Sequence, residues 1–279
     1  MTTSWLVGNY LIQTNQVLGS GIQAKVVPGE NMLTGKKIVA KLTMLDSKTN
    51  LFETELSILN KLKDCDGVVR MEASFVHENY GITIMEKMPH DLMTLLEEDR
   101  ITLPQRLHIF KLVALALKQC HQNNVAHLDL KPENILVSDD YLRVKICDFG
   151  SAQVIPHHGL TKSTGGTLLY TAPETLNCDF FDGKQADMWS MGVLYHILIC
   201  NFWPYVGHDE RQLKRKVSKG LISVNDDLSQ CQVQTLVQML KFHPDDRIDI
   251  AGLCELLLPP SRKLIRRPSL KRIKQLLKL

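Results

Sequence analysis

The sequence lacks several features that mark specialised classes of protein. Its seven cysteines are scattered and odd in number, and no two are spaced as Cys-x-x-Cys. This argues against a disulfide framework or a zinc site, and it favours reduced thiols inside a cell. Long hydrophobic runs are also missing, because the most apolar stretch, Met191–Cys200, contains His196 and is too short to span a bilayer.

A secretory signal is also not evident at the start of the chain. The first residues, MTTSWLVGNYLIQTN, have no basic region and no uninterrupted apolar stretch before Asn9 and Gln13. The composition, 44% hydrophobic and 23% charged over 279 residues, is typical of a globular protein with one large domain or two small lobes. We therefore expect an intracellular protein of the cytoplasm or nucleus, without a transmembrane segment.

Charge is unevenly distributed along the chain. Residues 261–279 contain eight Lys/Arg and no Asp/Glu, whereas the whole chain has a formal net charge of +3. The residues before 261 therefore carry a net charge of −5, opposite to the +8 of this segment. Its apolar residues recur at helical spacing: Leu270, Ile273, Leu276 and Leu277. Residues 259–279, which begin with two prolines, are called the basic tail below.

Strand patterns come first in the chain and helical patterns later. Residues 15–42 combine a glycine turn with β-branched runs, and GITIMEKM at 81–88 is a further strand pattern. Helical spacing is found at 50–63, where the apolar positions are Leu51, Leu56, Leu59 and Leu62, and again at 104–123. The remainder is largely helical, with a polar loop at 155–166. This order predicts an α+β protein in which a small β-rich part precedes a larger helical part.

Short motifs typical of phosphoryl transfer are spread over both parts. Gly19 and Gly21 lie in VLGSGIQAKV, where missing Cβ atoms let a backbone close over phosphates, although such a turn alone is also typical of an ordinary hairpin. Lys41 follows in the strand-like IVAKL. HLDLKPEN occupies 127–134 and DFG 148–150, and these two motifs together are far more specific than the glycine turn.

Three more motifs complete the series: APE at 172–174, DMWSMG at 187–192 and HPDDRI around Arg247. With them, the sequence resembles the eukaryotic protein kinase family over residues 14–257. The resemblance implies a bilobal kinase fold: a β-rich lobe with one regulatory helix over 1–86, an α-helical lobe over 87–258, and the basic tail over 259–279. Lys131 and Thr167 match the serine/threonine branch.

The resemblance implies roles for the residues of the catalytic loop. Asp129 accepts or orients the proton of the substrate hydroxyl, and Lys131 stabilises charge on the transferred phosphoryl group. Asn134 and Asp148 hold the metal ion, for which Mg²⁺ and Mn²⁺ are both suitable.

Further roles fall on the small lobe and on the scaffold. Lys41 binds the α- and β-phosphates of ATP, although a single strand lysine is more often simply solvated. Glu55 pairs with Lys41, and its neighbour Glu53 is the alternative. Glu174 and Arg247 are expected to form a buried structural ion pair, and Asp187 to brace the backbone of the catalytic loop.

The nucleotide site is assigned by position in the same way. In this assignment Val26 and Val39 cover the adenine, Met85 is the gatekeeper, and the backbones of Glu86 and Met88 bond the base. The whole implied set is Leu18, Gly19, Gly21, Val26, Val39, Lys41, Met85, Glu86, Met88, Asp91, Glu133, Leu136, Cys147 and Asp148. Two alternatives stay open here. Asp91 and Glu133 either contact the arginines of a substrate or serve in nucleotide binding near the ribose or in capping. Cys147 is a small buried residue or a reactive thiol.

Three positions depart from the family pattern. Ala24 stands where a third glycine is usual, and Val39 stands where alanine is usual, which narrows the adenine slot. Leu128 replaces the arginine of His-Arg-Asp, which normally binds a phosphate on the activation segment. We therefore expect activity that does not depend on phosphorylation of Thr161, Ser163 or Thr164.

The acidic body predicts basic substrates, and the basic tail has four interpretations. The tail packs on its own kinase body or on a second copy as a homodimer, binds nucleic acid or an acidic membrane, carries a regulatory site at Arg266-Arg267-Pro268-Ser269, or is a solvated helix.

Within the family, the short start, the HLDLKPEN loop and the chain length most resemble the late protein kinases of baculoviruses. This implies a viral enzyme that acts in the infected cell on a small arginine-rich DNA-condensing protein. The alternatives are a compact cellular kinase of the calcium/calmodulin-dependent or a related basophilic group, and an ATP-binding pseudokinase scaffold.

Overall fold

The computed structural model describes residues 3–21, 23–46, 50–157, 159–162, 166–205, 210–217, 219, 222, 224 and 228–258. The basic tail lies outside these residues, and so do Ser163 and Thr164. The interpretations offered for the tail therefore stay predictions. Within the described part of the chain, no helix is both long enough and apolar enough to cross a membrane.

The small lobe is built on one antiparallel sheet. Its strands are β1 Trp5–Val7, β2 Tyr10–Ile12, β3 Gly19–Ser20, β4 Ala24–Asn31, β5 Lys37–Met44, β6 Met71–His77 and β7 Tyr80–Glu86. They follow the order β1-β2-β4-β5-β7-β6, and β3 pairs with β4. On β5, Ile38, Ala40 and Leu42 are fully buried, because alternate residues of a strand face the same side. Together with Val27, Ile82 and Ile84 they form the core of this sheet.

The hairpin of β1 and β2 closes one end of this core and was not predicted from the sequence. The Trp5 ring lies 4.8 Å from the His77 ring and 5.7 Å from the Tyr80 ring. At the turn, Gly8 has φ +55°, and a Cβ there would lie 2.9 Å from the Phe75 ring. The turn therefore requires glycine both for its backbone conformation and for the close approach of Phe75.

One helix, α1 (Leu51–Lys61), packs against the sheet. Its buried face consists of Phe52, Glu55, Ile58 and Leu59. Leu51, one of the apolar positions at helical spacing, is exposed at the helix start, and the neighbouring Phe52 is buried instead. A Cβ on Gly81 would lie 2.4 Å from the Phe52 ring, so a glycine in β7 lets the helix approach the sheet.

The large lobe consists mainly of helices. They are α2 Leu92–Glu97, α3 Leu103–Gln122, α4 Pro173–Asn177, α5 Gly183–Cys200, α6 Glu210–Val217, α7 Gln230–Met239 and α8 Ile250–Leu256. Helix α3 begins at a capping box formed by Thr102 and Gln105. Helix α5 is apolar on nearly all sides, and from Ala186 to Cys200 every residue is buried. Helices α3 and α5 pack together at the centre of the main core.

Short strands and 3-10 helices lie in the connections between the helices of this lobe. The strands β8 His90–Asp91, β10 Ile135–Val137 and β11 Val144–Ile146 form one small sheet, and β9 Val125–Ala126 with β12 Gln153–Val154 forms another. The 3-10 helices are Pro132–Asn134, Phe149–Ser151, Leu168–Tyr170 and Pro244–Asp246. The α+β, bilobal fold predicted from the sequence is thereby confirmed.

Candidate active site

The catalytic loop follows β9 and folds around the carboxylate of Asp129. Lys131 Nζ lies 2.8 Å from Asp129 Oδ2, and the side-chain amide of Asn134 donates to the Asp129 carbonyl at 2.8 Å. The 3-10 helix Pro132–Asn134 turns the chain sharply enough to bring Asn134 back toward Asp129. A carboxylate, an ammonium group and an amide thus meet within one short segment.

Thr167, in the loop between DFG and α4, is hydrogen-bonded to the catalytic loop. Its backbone N–H donates to Asp129 Oδ1 at 2.9 Å, and its hydroxyl donates to the same oxygen at 2.8 Å. Lys131 Nζ donates to the Thr167 hydroxyl at 2.8 Å. These hydrogen bonds fix the orientation of the Asp129 carboxylate.

Asp187, which is fully buried on α5, is hydrogen-bonded to the backbone of the catalytic loop. Its two carboxylate oxygens accept the backbone N–H groups of His127 and Leu128, each at 2.8 Å. A third donor is His121 Nε2 on α3, at 2.9 Å. The predicted bracing role of Asp187 agrees with these contacts. His121 was missed, because no motif marks a histidine in the middle of a helical pattern.

On the small lobe, Lys41 lies between two carboxylates. Its Nζ is 2.6 Å from Glu55 Oε1 and 2.7 Å from Asp148 Oδ1. Glu53 is exposed, so the structure places Glu55 rather than Glu53 at Lys41. Because Lys41 and Asp148 belong to different lobes, this ion pair also joins the two lobes.

Burial and charge act in opposite directions on the pKa values of these three groups. Burial alone lowers the pKa of Lys41, but the charges of Glu55 and Asp148 raise it above its ordinary value. For Glu55, burial raises the pKa more than Lys41 lowers it. For Asp148, burial raises the pKa, and the charge and hydrogen bond of Lys41 together lower it below its ordinary value.

The backbone at DFG turns so that consecutive side chains face in opposite directions. Asp148 has φ +60°, and its side chain accepts the N–H of Gly150. Phe149 is fully buried, with its ring 4.9 Å from the His127 ring. His127 Nε2 donates to the Cys147 carbonyl at 3.0 Å. The catalytic loop and DFG are therefore packed as one unit.

The residues of the predicted nucleotide site lie on neighbouring strands. Val26 is opposite Lys41 in the pairing of β4 and β5, and Val39 is opposite the buried Met85 in the pairing of β5 and β7. Gly19 pairs with Val26, and Leu18 N donates to the Val26 carbonyl at 2.8 Å, which fixes the glycine turn against β4.

Two residues of the predicted nucleotide site, Glu86 and Met88, lie at the end of β7 and just after it. The N–H of Glu86 already donates to the Arg70 carbonyl at 3.0 Å and is not available to adenine. The carboxylate of Glu86 pairs with Lys145 at 2.9 Å. Met88 follows the strand and is partly exposed.

Asp91 and Glu133 have different environments. The Asp91 carboxylate caps α2, where it accepts Thr94 N and Thr94 Oγ1, both at 2.8 Å. Leu136 is opposite Asp91 in the small sheet of β8 and β10. Glu133 is exposed in the 3-10 helix beside Asn134. The Asp91 carboxylate therefore has a structural role as the cap of α2. The Glu133 side chain, in contrast, is exposed to solvent.

Cys147 is partly buried directly before DFG, and its N–H donates to the Asn134 carbonyl at 2.9 Å. Burial and the neighbouring charge of Asp148 raise the pKa of its thiol strongly. A thiol that stays protonated is a weak nucleophile. Of the two interpretations, these contacts favour the small buried residue.

Leu128, which stands where the family pattern has an arginine, has an apolar environment. Leu128 has φ +63° and packs its side chain against the main core. Thr161 is buried and pairs with Phe181 through two backbone hydrogen bonds of 2.8 and 3.0 Å. In the described part of this loop, Gln153 also donates to the Lys162 carbonyl at 2.9 Å. These contacts fix Thr161 and Lys162, in the described part of the loop, without a cation at position 128.

The scaffold around the site includes the expected ion pair of Glu174 and Arg247. Arg247 Nη2 lies 2.7 Å from Glu174 Oε2, and a second guanidinium nitrogen bonds the other carboxylate oxygen. The guanidinium also donates to the carbonyls of Lys241, Gln185 and Phe242. It lies over the Trp189 ring at 5.0 Å.

The donor set fits a divalent metal ion bound together with phosphates. Asn134 uses its amide nitrogen toward Asp129, which leaves its side-chain oxygen for a metal, and Asp148 is about half exposed. Mg²⁺ takes one or two protein oxygens and completes its shell with phosphates and water. Among the described residues, no group of three or more His, Cys, Asp or Glu side chains could hold a metal without such ligands.

A lysine between two carboxylates, beside an aspartate held by several hydrogen bonds, is an arrangement typical of phosphoryl-transfer sites. The chain matches the protein kinase domain over residues 12–257. It is 28% identical over 273 residues to the carbon catabolite-derepressing protein kinase of Saccharomyces cerevisiae, covering 92% of this chain and 42% of that protein. The chain therefore belongs to the protein kinase family.

Other relatives carry serine/threonine kinase names. Human serine/threonine-protein kinase D2 is 33% identical over 205 residues, which cover 70% of this chain and 23% of that protein. A probable serine/threonine-protein kinase of Dictyostelium discoideum is 30% identical over 257 residues, covering 89% and 30%. The chain thus spans less than half the length of these curated relatives and belongs with serine/threonine kinases.

Proposed function

We propose that this protein transfers the γ-phosphate of ATP to serine or threonine hydroxyls of basic, arginine-rich proteins. The observation that carries the proposal is the arrangement around Asp129, whose carboxylate is fixed by Thr167 and Lys131 and stands ready to accept a proton. Phosphoryl transfer depends mainly on positioning and charge, and these contacts supply both.

Each residue of the cluster has a defined task in this proposal. Asp129 orients the attacking hydroxyl and takes up its proton, while Lys131 lies beside it to offset negative charge. Lys41 is held by Glu55 and Asp148 where it can bind phosphate oxygens. A divalent ion at Asn134 and Asp148 would neutralise phosphate charge. ATP and Mg²⁺ or Mn²⁺ are the partners implied.

The preference for basic substrates rests on charge. The residues before 261 carry a net charge of −5, and Glu133 is exposed four residues after Asp129. An arginine of a bound substrate can form a charge-assisted hydrogen bond with such a carboxylate. The resemblance to baculovirus late kinases extends the proposal to an arginine-rich DNA-condensing protein in an infected cell.

The proposal is tested by phosphate transfer from labelled ATP to an arginine-rich protein and to an acidic protein. Wild type is compared with Asp129→Asn and with Lys37→Met, a substitution on the exposed side of the sheet. We expect labelling of the arginine-rich protein on serine or threonine, and a loss on the order of 10²-fold or more for Asp129→Asn alone. Equal labelling of the acidic protein would remove the basic preference. No transfer by wild type that still binds ATP would favour the scaffold alternative.

A further inference from the structure

The 3-10 helix Leu168–Tyr170 connects the catalytic centre to the surface on which a protein substrate must lie. It follows Thr167 directly, and Thr167 donates to Asp129 Oδ1 through both its N–H and its hydroxyl. The helix is itself held in place, because Tyr170 N donates to the Thr167 carbonyl at 2.9 Å and Ser190 Oγ donates to the Tyr170 carbonyl at 2.9 Å. A substrate hydroxyl that reaches Asp129 therefore brings its neighbouring residues close to this helix.

Trp203 lies against the end of this 3-10 helix. Its ring centroid is 5.4 Å from that of Tyr170, and the two rings meet edge to face. Tyr170 is only 2% exposed, whereas Trp203 is partly exposed, so one part of the indole packs on the protein and another part meets solvent. An aromatic surface beside the catalytic centre is thus accessible to a bound peptide.

Two leucines extend this apolar surface. Leu169 directly precedes Tyr170, is partly exposed and packs against the main core. Helix α6 contacts the same 3-10 helix, and its Leu213 and Val217 lie on one face because they are four residues apart. Val217 is fully buried, whereas Leu213 is partly exposed at the margin of the core. Leu169, Trp203 and Leu213 are called the apolar cluster below.

The apolar cluster is within reach of substrate residues close to the phosphoacceptor. A 3-10 helix rises about 2 Å per residue, so with the ring contact of 5.4 Å the Trp203 ring lies on the order of 10 Å from Thr167. An extended peptide spans roughly 3.3–3.6 Å per residue. A side chain about three positions from the phosphoacceptor can therefore reach the indole.

The chemistry of the cluster selects an apolar occupant. Its three side chains carry no charge, and the polar atom that they include, the indole Nε1, is a donor and not an acceptor. A guanidinium buried against them would lack acceptors for its N–H groups, which costs free energy. An apolar side chain needs no such partner and gains free energy in proportion to the area that it removes from water.

We infer that Trp203, with Leu169 and Leu213, forms a subsite for an apolar side chain of the protein substrate, about three positions from the phosphorylated serine or threonine. The inference rests on the proposed kinase function and adds to it a specificity that charge alone does not supply. The subsite holds the substrate and takes no part in the chemical step. Its effect is therefore expected mainly in KM, since contacts away from the reacting atoms bind the substrate and the transition state alike.

The test measures phosphate transfer by the full-length chain to arginine-rich serine peptides that differ from one another at a single position. Leucine, arginine or alanine is placed at each position near the serine in turn. We expect one position at which leucine raises kcat/KM about tenfold or more over alanine, because one methylene group in an apolar pocket is worth roughly 10–200-fold.

Variants of the enzyme assign this preference to the cluster. Trp203→Ala should bring the ratio of the leucine peptide to the alanine peptide close to one, and Trp203→Phe should retain most of it. The matched control is Leu142→Ala, which removes an exposed leucine between β10 and β11 and should keep the full ratio. Because the two peptides are compared within one variant, the ratio does not depend on the fraction of enzyme that is folded.

The outcomes separate this inference from the proposed function. If the peptides are labelled but leucine is favoured at no position, or if the preference survives Trp203→Ala, the subsite is wrong and the kinase function stands. A preference for arginine that Trp203→Ala removes would show that the indole binds a cation, which also overturns the apolar subsite. If wild type labels none of the peptides, the proposed function itself fails, and the inference fails with it.

Discussion

The buried ion pair of Glu174 and Arg247 gives the sharpest prediction about stability. Arg247→Met would remove the guanidinium, whose side chain is 0% exposed, and leave the Glu174 carboxylate, 8% exposed, without its cation. Three backbone carbonyls would lose a donor as well. Removal of one partner of a buried pair costs roughly 3–5 kcal/mol, mainly because the other charge stays buried.

The measurement is thermal unfolding followed by circular dichroism. For a chain of this size about 1 kcal/mol shifts the midpoint by roughly 2–4 °C, so Arg247→Met should unfold at least about 6 °C below wild type. Lys37→Met is the matched control, because its pair with Glu30 is 67% and 38% exposed and is worth about 0–1 kcal/mol. Arg247→Met together with Glu174→Leu should lose less than the sum of the two single changes. An equal midpoint for Arg247→Met and Lys37→Met would refute the reasoning.

Four further predictions concern the site. Asp187→Asn should lower the rate of transfer about tenfold or more in a kinase assay, because an amide cannot accept both backbone N–H groups of the loop. Cys147 should stay unmodified by an alkylating agent at neutral pH while the exposed cysteines react, as mass spectrometry would show, because burial raises the pKa of its thiol. Phosphatase treatment of the protein should leave transfer to an added substrate unchanged, since Leu128 offers no cation to a loop phosphate; a loss would contradict this. The pKa of Asp148 is lowered by folding, so its contribution to stability is present above about pH 3.8 and is lost below it. The difference in midpoint between wild type and Asp148→Asn should therefore shrink as the pH falls below that value.

Sequence motifs could predict the catalytic loop because its residues are close together in the chain. The contacts of Asp129, Lys131 and Asn134 lie within six residues, and the pattern HLDLKPEN specifies them almost completely. The strands and helices that carry the motifs follow from two- and 3.6-residue periods, which depend on local spacing. These features need no knowledge of long-range packing.

The features that were not predicted all depend on contacts between distant residues. The hairpin at Trp5 becomes visible only when His77 and Tyr80 lie against it. His121 joins the site only because α3 packs beside α5 and brings it to Asp187. Phe52 turns inward at α1 because Gly81 leaves room for its ring, and nothing in the helical spacing distinguishes it from Leu51. Each of these contacts joins residues at least 29 positions apart in the sequence.

The two carboxylates that contact Lys41, those of Glu55 and Asp148, differ in burial, and we infer different roles from this difference. Both lie within 2.7 Å of the same ammonium, yet the Glu55 side chain is 4% exposed and that of Asp148 is 47% exposed. A buried carboxylate is difficult to move and serves to fix the lysine, whereas an exposed one can exchange a lysine contact for a metal ion at little cost. We therefore expect Glu55 to be the structural partner of Lys41 and Asp148 to be the carboxylate that is free to contact a metal ion. If Asp148 holds a metal ion as proposed, that ion would compete with Lys41 for the carboxylate and would weaken the contact between them.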